Sequence, residues 1–210
     1  MSLIVNLINF ILHIDKYLGN IIQTYGFETY LIIFLIIFME TGFVITPFLP
    51  GDSLLFAAGA FAAIGALNIF VLFIAVAAAA VIGDTVNYHI GKILGKKIYE
   101  SDTKLIKKEH LVEARDFYEK YGSLTIVIGR FIPIIRTFVP FVAGVGEMNY
   151  FKFLTFNVIG GVTWAGVFTF GGYFFGNLDI VKNNFGIIMI AIIVISLVPA
   201  VIGVLKKRVA

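Results

Sequence analysis

Pro47-Phe48-Leu49-Pro50-Gly51-Asp52-Ser53 sets two prolines, a glycine and a carboxylate inside a long apolar region, and its reading decides the fold. Proline removes helix donors, so the apolar run from Thr29 to Met39 that precedes it is expected to end before Asp52. On the far side no charged residue occurs for 31 positions, from Ser53 to Gly83. As one helix those residues would reach about 46 Å, against a hydrocarbon core of about 30 Å. The stretch must therefore break, and Gly65-Ala66-Leu67-Asn68 supplies the break, leaving a half-length helix from Ser53 to Ile64 and a span beginning near Ile69. Half-helix, turn, half-helix describes a re-entrant hairpin, which is tolerated at membrane depth only where protein or a water-filled cavity surrounds the irregular backbone. The turn from Pro47 to Asp52 is expected to line such a cavity.

The rest of the chain agrees with a membrane solvent. Of 210 residues, 60% are hydrophobic and 14% charged, and the mean hydropathy is +0.98, outside the balance of a soluble domain. Apolar stretches are spread over the whole length, which predicts a single all-α integral membrane domain over 1–210. Met1 to Ile14 has no basic n-region and no small-residue cleavage site after it, so the start is expected to be retained. There is no cysteine, hence no disulfide or thiolate chemistry, and the net charge of +3 gives no reason to expect nucleic acid as a partner.

Working outward, Asn6, Asn9, His13 and Lys16 share one face of the apolar segment from Leu3 to Ile14, the pattern of an interfacial helix. Lys92 to Lys120 carries eight Lys/Arg, with Leu111, Ala114, Tyr118 and Tyr121 marking an amphipathic helix; by the positive-inside rule this loop is cytoplasmic. A second hairpin is expected with arms Ser123 to Gly129 and Phe141 to Gly146 around Arg130, Pro133, Arg136 and Pro140. The uncharged runs Phe153 to Leu178 and Asn183 to Leu205 are long enough to cross, and the second ends in Lys206-Lys207-Arg208. If the second hairpin crossed fully, that basic cluster would lie outside; re-entry keeps it cytoplasmic, as the charge rule prefers.

The two halves repeat. Tyr25-Gly26 and Tyr121-Gly122 each follow an interfacial helix. Ala58-Gly59 and Ala143-Gly144 lie 85 residues apart, as do Tyr88-x-x-Gly91 and Tyr173-x-x-Gly176. Between the Tyr-Gly and Ala-Gly pairs, repeat one carries 11 residues more than repeat two. Each unit reads interfacial helix, re-entrant hairpin, then transmembrane helix: repeat one over about 3–91, an amphipathic linker over about 92–120, repeat two over about 109–176, and a last transmembrane helix over about 185–205. The first unit ends on the cytoplasmic side and the second begins there, so they are inverted, the arrangement of transporters whose broken helices meet near the midplane.

Glu40, Asp52, Arg130 and Arg136 lie in or beside the hairpins, where each costs at least about 2.5 kcal/mol at the bilayer centre on insertion scales. They can staple the hairpins as two salt bridges, but a buried pair is often no more stable than an apolar replacement, which favours a functional reason. Arginine keeps its charge and offers a planar fork suited to phosphate or carboxylate, so Arg130 and Arg136 are the candidate phosphate-binding residues and an anionic headgroup the natural ligand. Glu40 has no capping role and is a candidate proton carrier; Asp52, just before Ser53, is ligand, proton carrier or helix N-cap. Asp84, Ser53, Thr137 and Tyr88 are candidate supporting residues, with helix packing by Gly83, Gly91 and Gly95 the plainer reading around Asp84. Trp164 is expected to face lipid or to pack. His13, His89 and His110 are scattered without ligand-spaced neighbours, so neither metal nor cofactor is expected, and no G-x-S-x-G, Walker A or H-E-x-x-H motif marks a catalytic residue.

Glu40 with Pro47-Phe48-Leu49-Pro50-Gly51-Asp52-Ser53, Gly83-Asp84 with Tyr88 and Gly91, and Gly129-Arg130-Phe131-Ile132-Pro133-Ile134-Ile135-Arg136-Thr137 with Ala143-Gly144 and Met148 resemble the DedA family, also called the VTT or SNARE-associated Golgi protein family. The likeness runs from about Tyr25 to Gly176. It implies a bacterial inner-membrane protein tied to envelope integrity and the proton motive force, in a family where some members move undecaprenyl phosphate and eukaryotic relatives scramble phospholipid. It also implies that Glu40, Asp52, Arg130 and Arg136 are functionally required. The expected function is therefore a non-enzymatic flippase of a lipid phosphate, coupled to protons, in the bilayer. The candidate partners are an anionic lipid, polyprenyl phosphate or phospholipid, and a second copy of the chain. The alternatives are a proton-coupled small-cation antiporter and a non-specific phospholipid scramblase; a lipid phosphatase lacks a histidine nucleophile beside the arginines.

Overall fold

The computed structural model describes residues 14–43, 51–100, 119, 121–188, 190–192 and 194, and every regular element among them is helical. The helices are α1 (Ile14–Tyr25), α2 (Thr29–Gly42), α3 (Gly51–Ala63), α4 (Ile69–Glu100), α5 (Thr125–Ile128), α6 (Pro133–Val145), α7 (Tyr150–Phe175) and the short α8 (Asp179–Lys182). By length and composition, Lys16–Gly42, Ile69–Ile93 and Tyr150–Phe175 can each cross a membrane. The chain is an all-α membrane protein.

The expected break after Ile64 is present: α3 stops at Ala63, Gly65 adopts φ +80°, and Asn68 caps α4 by accepting from the backbone of Phe70 and Val71 at 3.0 and 3.1 Å. Asn149 caps α7 in the same way, accepting from Lys152 N–H at 3.1 Å. Gly26 and Gly122 take φ of +51° and +57° as the first residues of matching 3₁₀ turns at Gly26–Glu28 and Gly122–Leu124, a backbone that other residues adopt only under strain. The interfacial segment from Leu3 lies outside the described residues up to His13; from Ile14 the helix runs to Tyr25 and, across the Gly26 turn, into α2.

Three details differ from the sequence reading. The second hairpin breaks at one extended residue, Ile132 (φ −119°, ψ 106°), rather than over a long turn, because Pro133 is well suited to start a helix and α6 begins on it. Arg136 therefore sits in the first turns of α6, and Pro140 lies within that helix. Asp52 likewise lies inside α3 instead of preceding it. Finally, α4 continues past its apolar part through the lysines to Glu100, so the linker starts as an extension of the span. The amphipathic pattern of 111–118, the turn residues Pro47 to Pro50 and Lys206 to Arg208 lie outside the described residues, and the last span is described as helical only at 185–188, 190–192 and 194.

Lipid removes the hydrophobic drive between helices, so close packing of small residues has to hold the bundle. Accordingly Ala57, Ala58, Ala79, Ala80 and Ala165 are buried, while Phe70, Ile74, Phe151 and Val167 face outward. The most extensive contacts are α6 on α4, α3 on α7 and α2 on α4, with α4 on α7 and the short α5 also on α7. Gly59 and Gly144 are among the glycines that set the close approaches. A Cβ on Gly59 of α3 would strike the Thr169 carbonyl and stand 2.9 Å from the Tyr173 nitrogen of α7; one on Gly144 of α6 would strike the Tyr88 carbonyl and stand 2.8 Å from the Lys92 nitrogen of α4.

Gly59→Ala and Gly144→Ala are expected to destabilise the fold by about 1–3 kcal/mol, since backbone rather than a movable side chain opposes the methyl. Gly171, where a methyl would have nothing within 4 Å, is the internal reference. Gly171→Ala should be neutral or stabilising by up to about 1 kcal/mol from helix propensity. Unfolding of purified protein in graded denaturing detergent distinguishes the three.

Candidate functional site: a buried charge cluster

The end of α2 and the early turns of α6 are brought together on α4. Gly42, at the end of α2, passes Gly83 of α4 with room for little else, and the side chain of Asn87 then donates to the carbonyls of Thr41, at 3.1 Å, and Thr137, at 2.7 Å. Thr41 adjoins Glu40 and Thr137 adjoins Arg136. The Thr41 carbonyl belongs to the last turn of a helix, where carbonyls lack intrahelical donors, so Asn87 satisfies it while fixing the two peptides that carry the charges.

On that frame Arg136 meets two acids of the first half, Glu40 and Asp52. Its Nη2 is bonded to Glu40, and its Nη1 donates to Asp52 Oδ1 at 2.8 Å. The same Oδ1 accepts from the indole of Trp164 at 3.0 Å, and the Arg136 guanidinium carbon stands 5.7 Å from the Trp164 ring centroid. Trp164 of α7 is thus buried in the site rather than turned to lipid. Glu40 is fully buried; its Oε2 makes no further hydrogen bond of good geometry, although it lies against Gly51, where a methyl would collide with it.

Arg130 forms the second group. It lies in α5's 3₁₀ extension Gly129–Phe131 and binds Asp84 of α4 and the amide oxygen of Asn157 of α7 through Nη2. Gly83, beside Asp84, packs on Thr41 and Gly42, beside Glu40, so the two groups lie together as one cluster. Glu40, Asp52, Asp84, Arg130 and Arg136 are the buried charged residues among those described. Three carboxylates face two guanidiniums, and Nε of each arginine is buried without an acceptor.

The four charges singled out by sequence therefore meet, and Asp84 is the direct partner of Arg130. Ser53 and Thr137 are buried next to Asp52 and Arg136. Tyr88 takes no part in the cluster: its hydroxyl donates to the Met148 carbonyl and its ring stacks on Phe153. Asn87, Asn157 and Trp164 are not legible as site residues from sequence. The available signal is Asn157, Gly160, Gly161 and Trp164 at helical spacing, a polar and small-residue face within an otherwise apolar span. Among the described residues no group of acids and histidines suits a metal ion.

A multi-pass helical protein with a buried ionic cluster between broken helices is the class defined here. Its residues 49–174 match the VTT domain. The chain is 46% identical to Protein DedA of Escherichia coli K12, over 99% of this chain and 96% of that protein. It is 30% identical to the inner membrane proteins YghB, over 85% of each chain, and YqjA, over 83% of this chain and 80% of that one, both of the same organism. No solved structure matches it. The chain belongs to the DedA family of VTT-domain membrane proteins.

Breaking a buried pair leaves an uncompensated charge, whereas replacing both partners by apolar groups is often neutral. Arg130→Met is therefore expected to cost about 3–5 kcal/mol, and Arg130→Met with Asp84→Leu to recover most of that. A double-mutant cycle on detergent unfolding checks it; additive losses would mean that the pair does not interact.

Proposed function

We propose that the protein is a proton-coupled transporter of a lipid phosphate, undecaprenyl phosphate being the substrate that its family resemblance favours. The observation that carries this is the imbalance of the cluster: three acids against two arginines, each arginine with its buried Nε left without an acceptor. An assembly of fixed charges at membrane depth that is one positive charge short invites a proton, and two guanidiniums with spare donors invite an anion. Protonation of Glu40 frees the Nη2 edge of Arg136 for a phosphate oxygen. Asp52, held by both Arg136 and Trp164, is the second proton-coupling acid. Phosphate and proton thus enter together and leave together. The polyprenyl chain stays in lipid while only the headgroup crosses.

The helix contacts support inverted repeats. The second arm of each hairpin, α3 and α6, packs on the span of the opposite half, α7 and α4, and the first arms, α2 and α5, pack on the spans of their own halves. Exchange of that kind lets both breaks open onto one central site, alternately from either face. The Lys-rich linker and the C-terminal basic cluster are assigned to the cytoplasm by charge. The surplus acid also suits a proton-coupled antiporter of small cations, the second reading.

Purified protein in liposomes should translocate labelled undecaprenyl phosphate, faster with an imposed pH gradient. Arg130→Lys and Arg136→Lys keep a positive charge but lose the planar fork, and should lower the rate at least about tenfold. Sodium or potassium flux without lipid movement would instead favour the antiporter. Single cysteines at Ser53 and Thr137, in a chain that has none of its own, should label from opposite faces if access alternates; two sealed positions would count against it.

A further inference from the structure

The two arginines are held differently. Arg136 faces two carboxylates, Glu40 and Asp52. Arg130 faces one, Asp84, and its other partner is the neutral amide of Asn157. Asn157 is fully buried, and both ends of its amide are used. Oδ1 accepts from Arg130, while Nδ2 donates to the Val81 carbonyl at 3.0 Å and reaches the Thr85 hydroxyl at 3.3 Å. That hydroxyl itself donates to the Val81 carbonyl at 2.7 Å, leaving its oxygen free to accept. Turning the amide over would put its NH₂ against a guanidinium and its oxygen against a carbonyl, so the neighbours fix its orientation.

The next turn of α7 is shaped to the same side chain. A Cβ on Gly160 would stand 3.0 Å from Arg130 Cδ and 3.1 Å from Nε, and one on Gly161 would stand 3.6 Å from Cζ. Helix α7 therefore offers Arg130 a neutral acceptor above a glycine floor, and no charge.

We infer that Asn157 is a positioning residue that makes Arg130 the primary anion-binding arginine, by fixing the guanidinium without neutralising it, so that a phosphate has to displace only Asp84. This rests on the reading of the cluster as a phosphate site. Arg136, matched by two acids, is then the secondary contact, open to the phosphate only once Glu40 is protonated. A leucine at 157 would leave Nη2 with one partner fewer. An aspartate would give Arg130 a second acid and make it resemble Arg136.

The test is the initial rate of undecaprenyl phosphate translocation in liposomes as its membrane content is varied. Asn157→Asp is expected to raise the half-saturating content at least about tenfold, with a smaller effect on the maximal rate. Asp84→Asn combined with Asn157→Asp returns one acid and one amide to Arg130, and should bring half-saturation back to within about threefold of the wild type. If Asn157→Asp fails to assemble as a monodisperse protein, Asn157→Ser removes the amide without adding charge and should raise half-saturation about threefold. Unchanged half-saturation in a folded Asn157 variant, with only the yield or maximal rate reduced, would make the residue merely structural and overturn the inference. So would a folded double variant no better than Asn157→Asp alone. A wild-type protein that moves no undecaprenyl phosphate would instead remove the phosphate reading beneath it.

Discussion

A guanidinium does not shed its proton at any accessible pH, so each buried arginine has to be met by negative charge wherever the fold places it. Arg130 and Arg136 both lie in the second half of the chain, close to the break at Ile132. Their counter-charges, Glu40, Asp52 and Asp84, all belong to the first half. Neither half can bury its charges alone. The ionic requirement therefore dictates that the halves interlock, and the packing of α3 on α7 and α6 on α4 is the geometry that satisfies it.

Interlocking at that depth needs close backbones, because in lipid only packing and polar contacts hold helices together. Gly59 and Gly144 admit the opposite half at the two crossings, and Gly42 with Gly83 brings the end of α2 down to Asp84. Asn87 then ties the peptides beside Glu40 and Arg136 to α4. Small residues and amides thus do for the site what a hydrophobic core does for a soluble enzyme: they hold the ionic groups where they can meet. Tyr88, outside the cluster, extends this by anchoring α4 to the carbonyl of Met148 before α7.

Much of the fold is legible because it is written in local chemistry. The Gly65 to Asn68 break and the start of α4 at Ile69 follow from hydropathy lengths and glycine alone. Arg136 inside a helix is not legible, since two nearby prolines suggest a longer turn; Pro133 is instead a helix start, and Pro140 is tolerated within α6. For the site, charge in an apolar context exposes four residues, but not who pairs with whom. Asp84 finds Arg130 across 46 residues and Trp164 finds Asp52 across 112, separations over which a single sequence carries no pairing information. Asn157 is passed over because an uncharged polar residue in a span raises no alarm of the kind a carboxylate does.

A buried ion cluster is weak evidence for stability, so its composition has to decide between staple and site. A staple is best made with matched charges and saturated donors, since every unpaired buried group costs free energy. Here the acids outnumber the arginines, both Nε donors are left open, and one arginine is balanced by two carboxylates while the other shares an acid with an amide. Each of these departures weakens the cluster as a fastening. Each is also what the transport reading proposed above requires, a proton on the acid side and an anion on the arginine side. These departures are the ground on which transport, rather than strength alone, is proposed as the reason for the cluster.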